Sequence, residues 1–88
     1  MSTEHTADLT PIQLLGAHLR QTRLRAGLSV PGAVAASGMS RPFVYMIEAG
    51  TRRPSGEVLA TLLRVYGATG DEADTARRLH DSCAVLAL

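Results

Sequence analysis

The sequence predicts an all-α fold, a compact bundle of about five short helices. Apolar residues recur at spacings of three and four along most of the chain, as they do on the buried face of a helix. Prolines and most glycines fall near the ends of these periodic segments and do not interrupt a strand-like alternation. Only three of the 88 residues are aromatic, so the core is expected to consist of Leu, Val, Ile and Ala. A chain of this length buries only about 60–65% of its unfolded surface, so we expect a single domain.

The first helix is expected after a short polar segment. Residues 1–9 are acidic, and their apolar residues show no regular spacing, which predicts a flexible N-terminal arm. Thr10 is placed as the N-cap, with Pro11 at the first helical position and Gln13 completing a capping box. The expected end of this helix is Gly27. Its predicted buried stripe consists of Ile12, Leu15, Leu19 and Thr22.

Two short helices are expected next, separated by a tight turn. Ser29 is the N-cap of the first, which carries Pro31 in its first turn and ends near Ser37, before Gly38. Ser40 is the N-cap of the second, which covers residues 41–49 and stops at Gly50. The gap is too short for the chain to reverse, so residues 29–49 are predicted to form a helix-turn-helix.

The two short helices have distinct faces. Ala33, Val34 and Ala36 are expected to point inward from the first, and Phe43, Val44 and Ile47 from the second. The second helix keeps an outer face that is polar or aromatic. A helix with such a face fits the major groove of DNA. The members of this face, and the expected base-contacting residues, are Arg41, Pro42, Tyr45 and Met46.

Two more helices complete the prediction. Ser55 is expected to cap a helix that ends at Gly67, and Asp71 to cap a last helix over residues 71–87. The apolar stripe of the last helix includes Ala76, Leu79, Cys83 and Leu86. This stripe either folds onto the first helix and closes a monomeric core, or forms part of a two-fold interface. We favour the homodimer.

The charge is unevenly distributed. Residues 20–64 hold seven arginines against two glutamates, whereas the segments on either side are net negative. A central basic region suits the phosphates of nucleic acid, although arginine-rich composition alone is the alternative explanation. The one cysteine, Cys83, excludes an internal disulfide and a cysteine-based zinc site. We expect a cytoplasmic protein, because the sequence shows no signal peptide and no apolar run of membrane length.

Ordered motifs give the sequence a specific resemblance. They are LR-x-x-R-x-x-x-G-L-S, then SG-x-SR, then IE-x-G-x-R-x-P-S, within residues 12–67. This set resembles the lambda-repressor-like, Xre-type helix-turn-helix regulators, and the lysine-free composition is similar to their actinobacterial branch. The resemblance implies a DNA-binding domain over residues 10–88 that acts as a sequence-specific transcriptional regulator on the nucleoid, with repression as the expected mode. It also implies an ion pair between Arg23 and Glu48 that fixes the first helix against the recognition helix.

Contacts to DNA phosphates are expected on both sides of the recognition helix. In the family, a Gln that contacts DNA often follows the serine at the start of the second helix, and here that position is Val30. Arg20 and Arg25 are expected to face solvent or phosphate. The expected phosphate-contacting residues are Ser29, Val30, Ser40, Thr51, Arg52 and Arg53.

Two other classes of function are weighed against DNA binding. The same scaffold can serve as a protein-interaction module, an antitoxin or adaptor, through exposed apolar edges at Val30, Phe43 or Met46. An enzyme is the weakest alternative, because the histidines and Cys83 are scattered and no Gly-rich phosphate loop follows a strand. We therefore expect no catalytic residue, no cofactor and no metal.

Overall fold

A computed structural model describes residues 9–86, with side chains described for residues 9–83. This part of the chain forms five helices and contains no strand, which confirms the all-α prediction. The helices are α1 (Pro11–Arg25), α2 (Val30–Ser37), α3 (Arg41–Ala49), α4 (Gly56–Val65) and α5 (Gly70–Leu86). Except for Leu9, the predicted arm at 1–9 lies outside the described residues, as do residue 87 and the side chain of Leu86. None of the helices in residues 9–86 is both long enough and apolar enough to cross a membrane.

The first four helices begin where the sequence places their caps. Thr10 Oγ1 accepts a hydrogen bond from the Gln13 amide at 3.2 Å, and Gln13 Oε1 accepts one from the Thr10 amide at 3.0 Å. The hydroxyl oxygens of Ser29, Ser40 and Ser55 each accept a bond from the amide three residues later. These bonds satisfy amides that have no partner within the helix, and so they fix each starting point.

The start of α5 differs from the prediction. Asp71 is not its N-cap; the cap is Thr69, whose Oγ1 accepts from the Glu72 amide at 3.2 Å. Glu72 Oε1 in turn accepts from the Thr69 amide at 2.9 Å. Thr69 and Glu72 therefore form a reciprocal capping box, which satisfies two free amides where an Asp71 cap would satisfy one. The helix consequently begins at Gly70, one residue earlier than expected.

All five helices contribute to the core; α1 packs against α5 and α3, and α2 packs against α3 and α4. Within α2 the buried residues are Val30 and Ala33, whereas Ala36 is exposed, so the prediction for Ala36 was wrong. In α5, Ala76 is fully buried and Cys83 is 4% exposed. This part of the α5 stripe closes the core of the single chain. The buried core cluster contains Leu15, Leu19, Ala33, Ile47, Leu59, Leu62, Leu63, Tyr66, Ala76 and Cys83.

Two glycines let α1 approach the end of α3 closely. A Cβ at Gly16 would lie 2.5 Å from the carbonyl oxygens of both Ile47 and Glu48. At Gly50, which has a φ of +77°, a Cβ would lie 2.6 Å from the Cα of Gln13. Only glycine fits this contact, so α1 is pressed directly against the carboxyl end of α3.

Candidate nucleic-acid interface

The outward face of α3 is an uninterrupted exposed stripe. Residues one turn apart along it share this exposure because a helix repeats every 3.6 residues. Tyr45 is 53% exposed and Met46 is 37% exposed, while Val44 and Ile47 on the opposite face are at most 1% exposed. We call this surface the α3 stripe. Its members are Arg41, Pro42, Tyr45, Met46 and Ala49.

A buried polar network holds α3 in place behind this stripe. Arg23 on α1 donates through Nε to Glu48 Oε2 and through Nη2 to Glu48 Oε1, each at 2.9 Å. Its Nη1 donates to the Leu28 carbonyl at 2.8 Å. The ion pair that the resemblance implied is thus present and bidentate, with side chains only 7% and 5% exposed. Planar two-point contacts of this kind fix orientation as well as distance.

Tyr66, which directly follows α4, completes the network. Its hydroxyl donates to Glu48 Oε2 at 2.9 Å. Burial raises the pKa of the Tyr66 phenol, and the nearby Glu48 carboxylate raises it further. The hydrogen bond to Glu48 raises the pKa of Arg23. At neutral pH the network therefore joins a cation, an anion and a neutral donor from three parts of the chain, and each charge is compensated.

The two capping serines keep a donor for an external group. Each hydroxyl uses its oxygen to accept a backbone amide, at 3.1 Å for Ser29 and 3.2 Å for Ser40. A hydroxyl has one proton to donate as well as its acceptor positions. Both serines are exposed, so that proton can point towards a phosphate oxygen.

Two other predicted phosphate contacts are placed less favourably. The Val30 side chain is 7% exposed and belongs to the core, so only its backbone amide is available. The expectation of an exposed apolar edge at Val30 is therefore wrong, because α2 turns this residue inward. The Thr51 hydroxyl donates to the Met46 carbonyl at 3.2 Å. Its proton is used to close the end of α3.

The adjacent arginines after α3 point to different neighbours. The guanidinium carbon of Arg52 lies 5.2 Å from the centre of the Phe43 ring, within cation–π range and beside the α3 stripe. Arg53 lies near α5. Burial raises the pKa of the Cys83 thiol there, and the neighbouring Arg53 opposes this effect. Of the two arginines, Arg52 is thus the one that lies alongside α3.

Arg25 is tied to α5. It donates through Nε to Glu72 Oε2 at 2.7 Å and through Nη2 to Glu72 Oε1 at 2.8 Å. A further bond joins Nη2 to the Gly67 carbonyl at 3.1 Å. This pair was not predicted. The Arg25 side chain is 46% exposed and so faces solvent as expected, with its guanidinium held by Glu72.

Two residues that support the interface were also missed. Tyr66 is 1% exposed, and a buried tyrosine hydroxyl needs a hydrogen-bond partner, so this residue type at the end of α4 was a usable signal. Gly16 interrupts the first helix at a cost of about 1 kcal/mol relative to alanine, which indicates a packing reason for glycine there.

Comparison with known proteins places the chain in a family. The family model described as a helix-turn-helix domain matches residues 14–76. That range contains all of α2, α3 and α4, and so the α3 stripe with its supporting network. Among curated proteins and among solved structures, nothing matches the chain.

Proposed function

The chain belongs to the helix-turn-helix domain family, and we propose that it is a sequence-specific DNA-binding transcriptional regulator, acting as a repressor, that inserts α3 into the major groove. The observation that carries this proposal is the α3 stripe, exposed on one side and fixed on the other by the Arg23–Glu48 pair and Tyr66. A helix that enters the major groove has to keep its orientation when its exposed face loses its bound water. The buried network supplies that rigidity.

Base contacts in this proposal come from the first two turns of α3. Arg41 is exposed at the first helical position, where its guanidinium can donate two bonds to guanine O6 and N7. Pro42 and Met46 offer apolar contact, for example to a thymine methyl group, and Tyr45 offers a hydroxyl. Few of these side chains discriminate bases by hydrogen bonding, so DNA shape is proposed to contribute to specificity.

Phosphate contacts are proposed at the edges of α3. Ser29 and Ser40 donate their free hydroxyl protons, the Val30 amide lies at the start of α2, and Arg52 and Arg53 supply positive charge. Thr51 is left out, because its amide and its hydroxyl both donate to the Met46 carbonyl. Arg52 is the strongest of these on geometric grounds, because it lies over Phe43 beside the α3 stripe.

We also propose a narrower family for this chain within the helix-turn-helix proteins. The ordered motifs and the bidentate Arg23–Glu48 pair support a lambda-repressor-like, Xre-type protein. Such a regulator is proposed to work on the cytoplasmic nucleoid as a homodimer, with two copies of α3 spaced about 34 Å apart.

A salt titration tests the proposal. Binding to fluorescent mixed genomic duplexes is measured by anisotropy between low and moderate salt, and log affinity is expected to fall linearly with log salt concentration. On duplexes selected from a random pool, Arg41→Ala is expected to reduce the discrimination between bases by about 1–3 kcal/mol at the one base pair that Arg41 contacts. Arg52→Ala is expected to weaken all duplexes together and reduce the salt slope by about one.

The same titration addresses the protein-interaction alternative. A module that binds only protein has no reason to show steep salt-dependent affinity for duplex DNA, so a flat titration would contradict the proposed function. Of the three apolar edges suggested for such a module, Val30 is buried and Phe43 is half-buried beneath Arg52. Met46 remains exposed, and Met46→Ala should then weaken partner capture without changing the salt slope.

A further inference from the structure

A basic side chain on α1 lies beside the α3 stripe. Arg20 is exposed, and it lines one shallow concavity together with Tyr45 and Ala49, which are exposed members of the stripe. The buried members of the same concavity include Arg23 and Glu48. α1 thus contributes a surface next to α3 although it lies outside the helix-turn-helix.

The two exposed arginines of α1 have different surroundings. Arg25 is held by Glu72 at 2.7 Å. Among the described side chains, no carboxylate lies within ion-pair distance of Arg20. The nearby Glu48 carboxylate would repel a phosphate if it were unbalanced, but Arg23 neutralises it through the bidentate contact. The surface around Arg20 therefore keeps a net positive character.

Arg20 and Arg52 lie at opposite edges of the α3 stripe. Arg20 shares its concavity with Tyr45, whereas Arg52 lies over Phe43. On a helix with 3.6 residues per turn, residues 45 and 43 are about 160° apart, so the two arginines flank the exposed face from both sides. A helix inserted in the major groove has one phosphate backbone on each side, because the groove is only about 12 Å wide.

We propose that Arg20 binds a backbone phosphate on one wall of the major groove while Arg52 binds a phosphate on the opposite wall. This inference rests on the proposed function and adds a DNA contact from α1. The two contacts centre α3 in the groove, since each pulls the helix towards a different strand. They position the protein without specifying a base.

The test compares charge-matched variants of the full chain. Arg20→Ala is expected to reduce the salt slope of binding to mixed genomic duplex by about one and to weaken all sequences alike. Arg78→Ala is the control: it removes the same charge from an exposed position on α5 that lines a concavity with Asp74 and Asp81, and it should leave the slope unchanged. Arg20→Lys should restore most of the slope. The combination of Arg20→Ala with Arg52→Ala should reduce it by about two.

The assignment to two walls is tested by phosphate-ethylation interference on a duplex selected from a random pool. Within one half-site, the two variants should lose sensitivity at phosphates on different strands. Loss on the same strand of that half-site for both variants, or an unchanged slope for Arg20→Ala, overturns the inference. If the wild-type chain shows no salt-dependent DNA binding, both the inference and the proposed function fail. If the wild-type chain binds but Arg20→Ala leaves the slope unchanged, as Arg78→Ala does, the inference fails and the proposed function stands. Thermal unfolding of each variant verifies folding, and Arg20→Gln replaces Arg20→Ala should the latter unfold.

Discussion

Glu48 connects α3 to the rest of the molecule. Its carboxylate accepts three hydrogen bonds, two from Arg23 and one from Tyr66, so both oxygens are satisfied although the residue is only 9% exposed. A buried ion pair adds little net stability compared with apolar residues, because desolvation offsets most of the attraction. Its value here is orientation, since α3 cannot rotate without breaking all three bonds.

A double-mutant cycle tests this role. Arg23→Ala and Glu48→Ala are each expected to lower the free energy of unfolding by about 3–5 kcal/mol, because each leaves the other charge buried without its partner. The double variant should be less destabilised than the sum of the two. Urea unfolding at neutral pH measures all three, and strict additivity would contradict a coupled pair.

Gly16 shows how a single missing methyl group sets the distance between two helices. Gly16→Ala is expected to lower the free energy of unfolding by about 1–3 kcal/mol, because the new Cβ overlaps the Ile47 and Glu48 carbonyl oxygens at 2.5 Å. Gly56→Ala is the matched control, since a Cβ there meets nothing within 4 Å. Urea midpoints should fall for the first variant only. Equal effects at both sites would show that α1 and α3 are less closely packed.

The start of α5 is joined to the end of α1 through one carboxylate. Glu72 accepts from Arg25 and from the Thr69 amide. The Arg25 guanidinium, helped by the Thr69 hydrogen bonds, lowers the pKa of Glu72 from 4.5 to about 2. His18 strengthens the same junction, with its Nε2 2.8 Å from the Glu72 carbonyl oxygen. The capping of α5 and its docking on α1 therefore depend on the same side chain.

This coupling makes stability depend on pH. A carboxylate whose folded pKa is lowered contributes stability above its unfolded pKa and loses it as the pH falls towards the folded value. The contribution of Glu72 should thus be complete above about pH 4.5 and decline towards about pH 2. Urea midpoints of Glu72→Gln should therefore fall less than those of the wild type between pH 5.5 and pH 3.

Asp74→Asn is the control for this experiment. The Asp74 side chain is 74% exposed, and its contact with Arg77 is long, at 3.9 Å. Removing the Asp74 charge should therefore leave the acid dependence of the wild type intact. If both variants shift the acid dependence equally, the effect belongs to the general charge of α5 and the link to Arg25 is contradicted.

At the scale of the whole molecule, the apolar residues of α5 can be buried in the core of one chain or in a homodimer interface. Ala76 and Cys83 are buried within one chain, so a homodimer cannot use them without opening the fold. Leu79 is half-buried, and it is packed against the core. A two-fold contact must therefore involve other surfaces than the centre of the α5 stripe.

Sedimentation tests the proposed dimer. Two copies are expected on a palindromic duplex whose half-sites lie one helical turn apart, because that spacing presents the same groove face twice. Ala76→Leu is not expected to strengthen this assembly; it should destabilise each chain, since the residue has no exposed surface. A strict monomer, both free at micromolar concentration and on the duplex, would contradict the dimer.

The sequence by itself determined the local features of this protein. The capping residues Thr10, Ser29, Ser40 and Ser55 predicted four helix starts, and Gly38 and Gly50 predicted two ends. Each of these features depends on hydrogen bonds or backbone angles within about four residues, so the spacing of residue types encodes them directly. The missed Thr69 cap belongs to the same class, because its Thr-x-x-Glu pattern is visible in the sequence.

Only the tertiary structure decided which distant residues meet. Arg25 and Glu72 are 47 positions apart, and Tyr66 and Glu48 are 18 apart, yet both pairs are hydrogen-bonded. Periodicity shows which face of a helix is buried and leaves open what covers it. The placement of α5 on α1, the contact at Gly16 and the position of Arg20 beside Tyr45 follow from how the helices pack, and that packing depends on all five helices together.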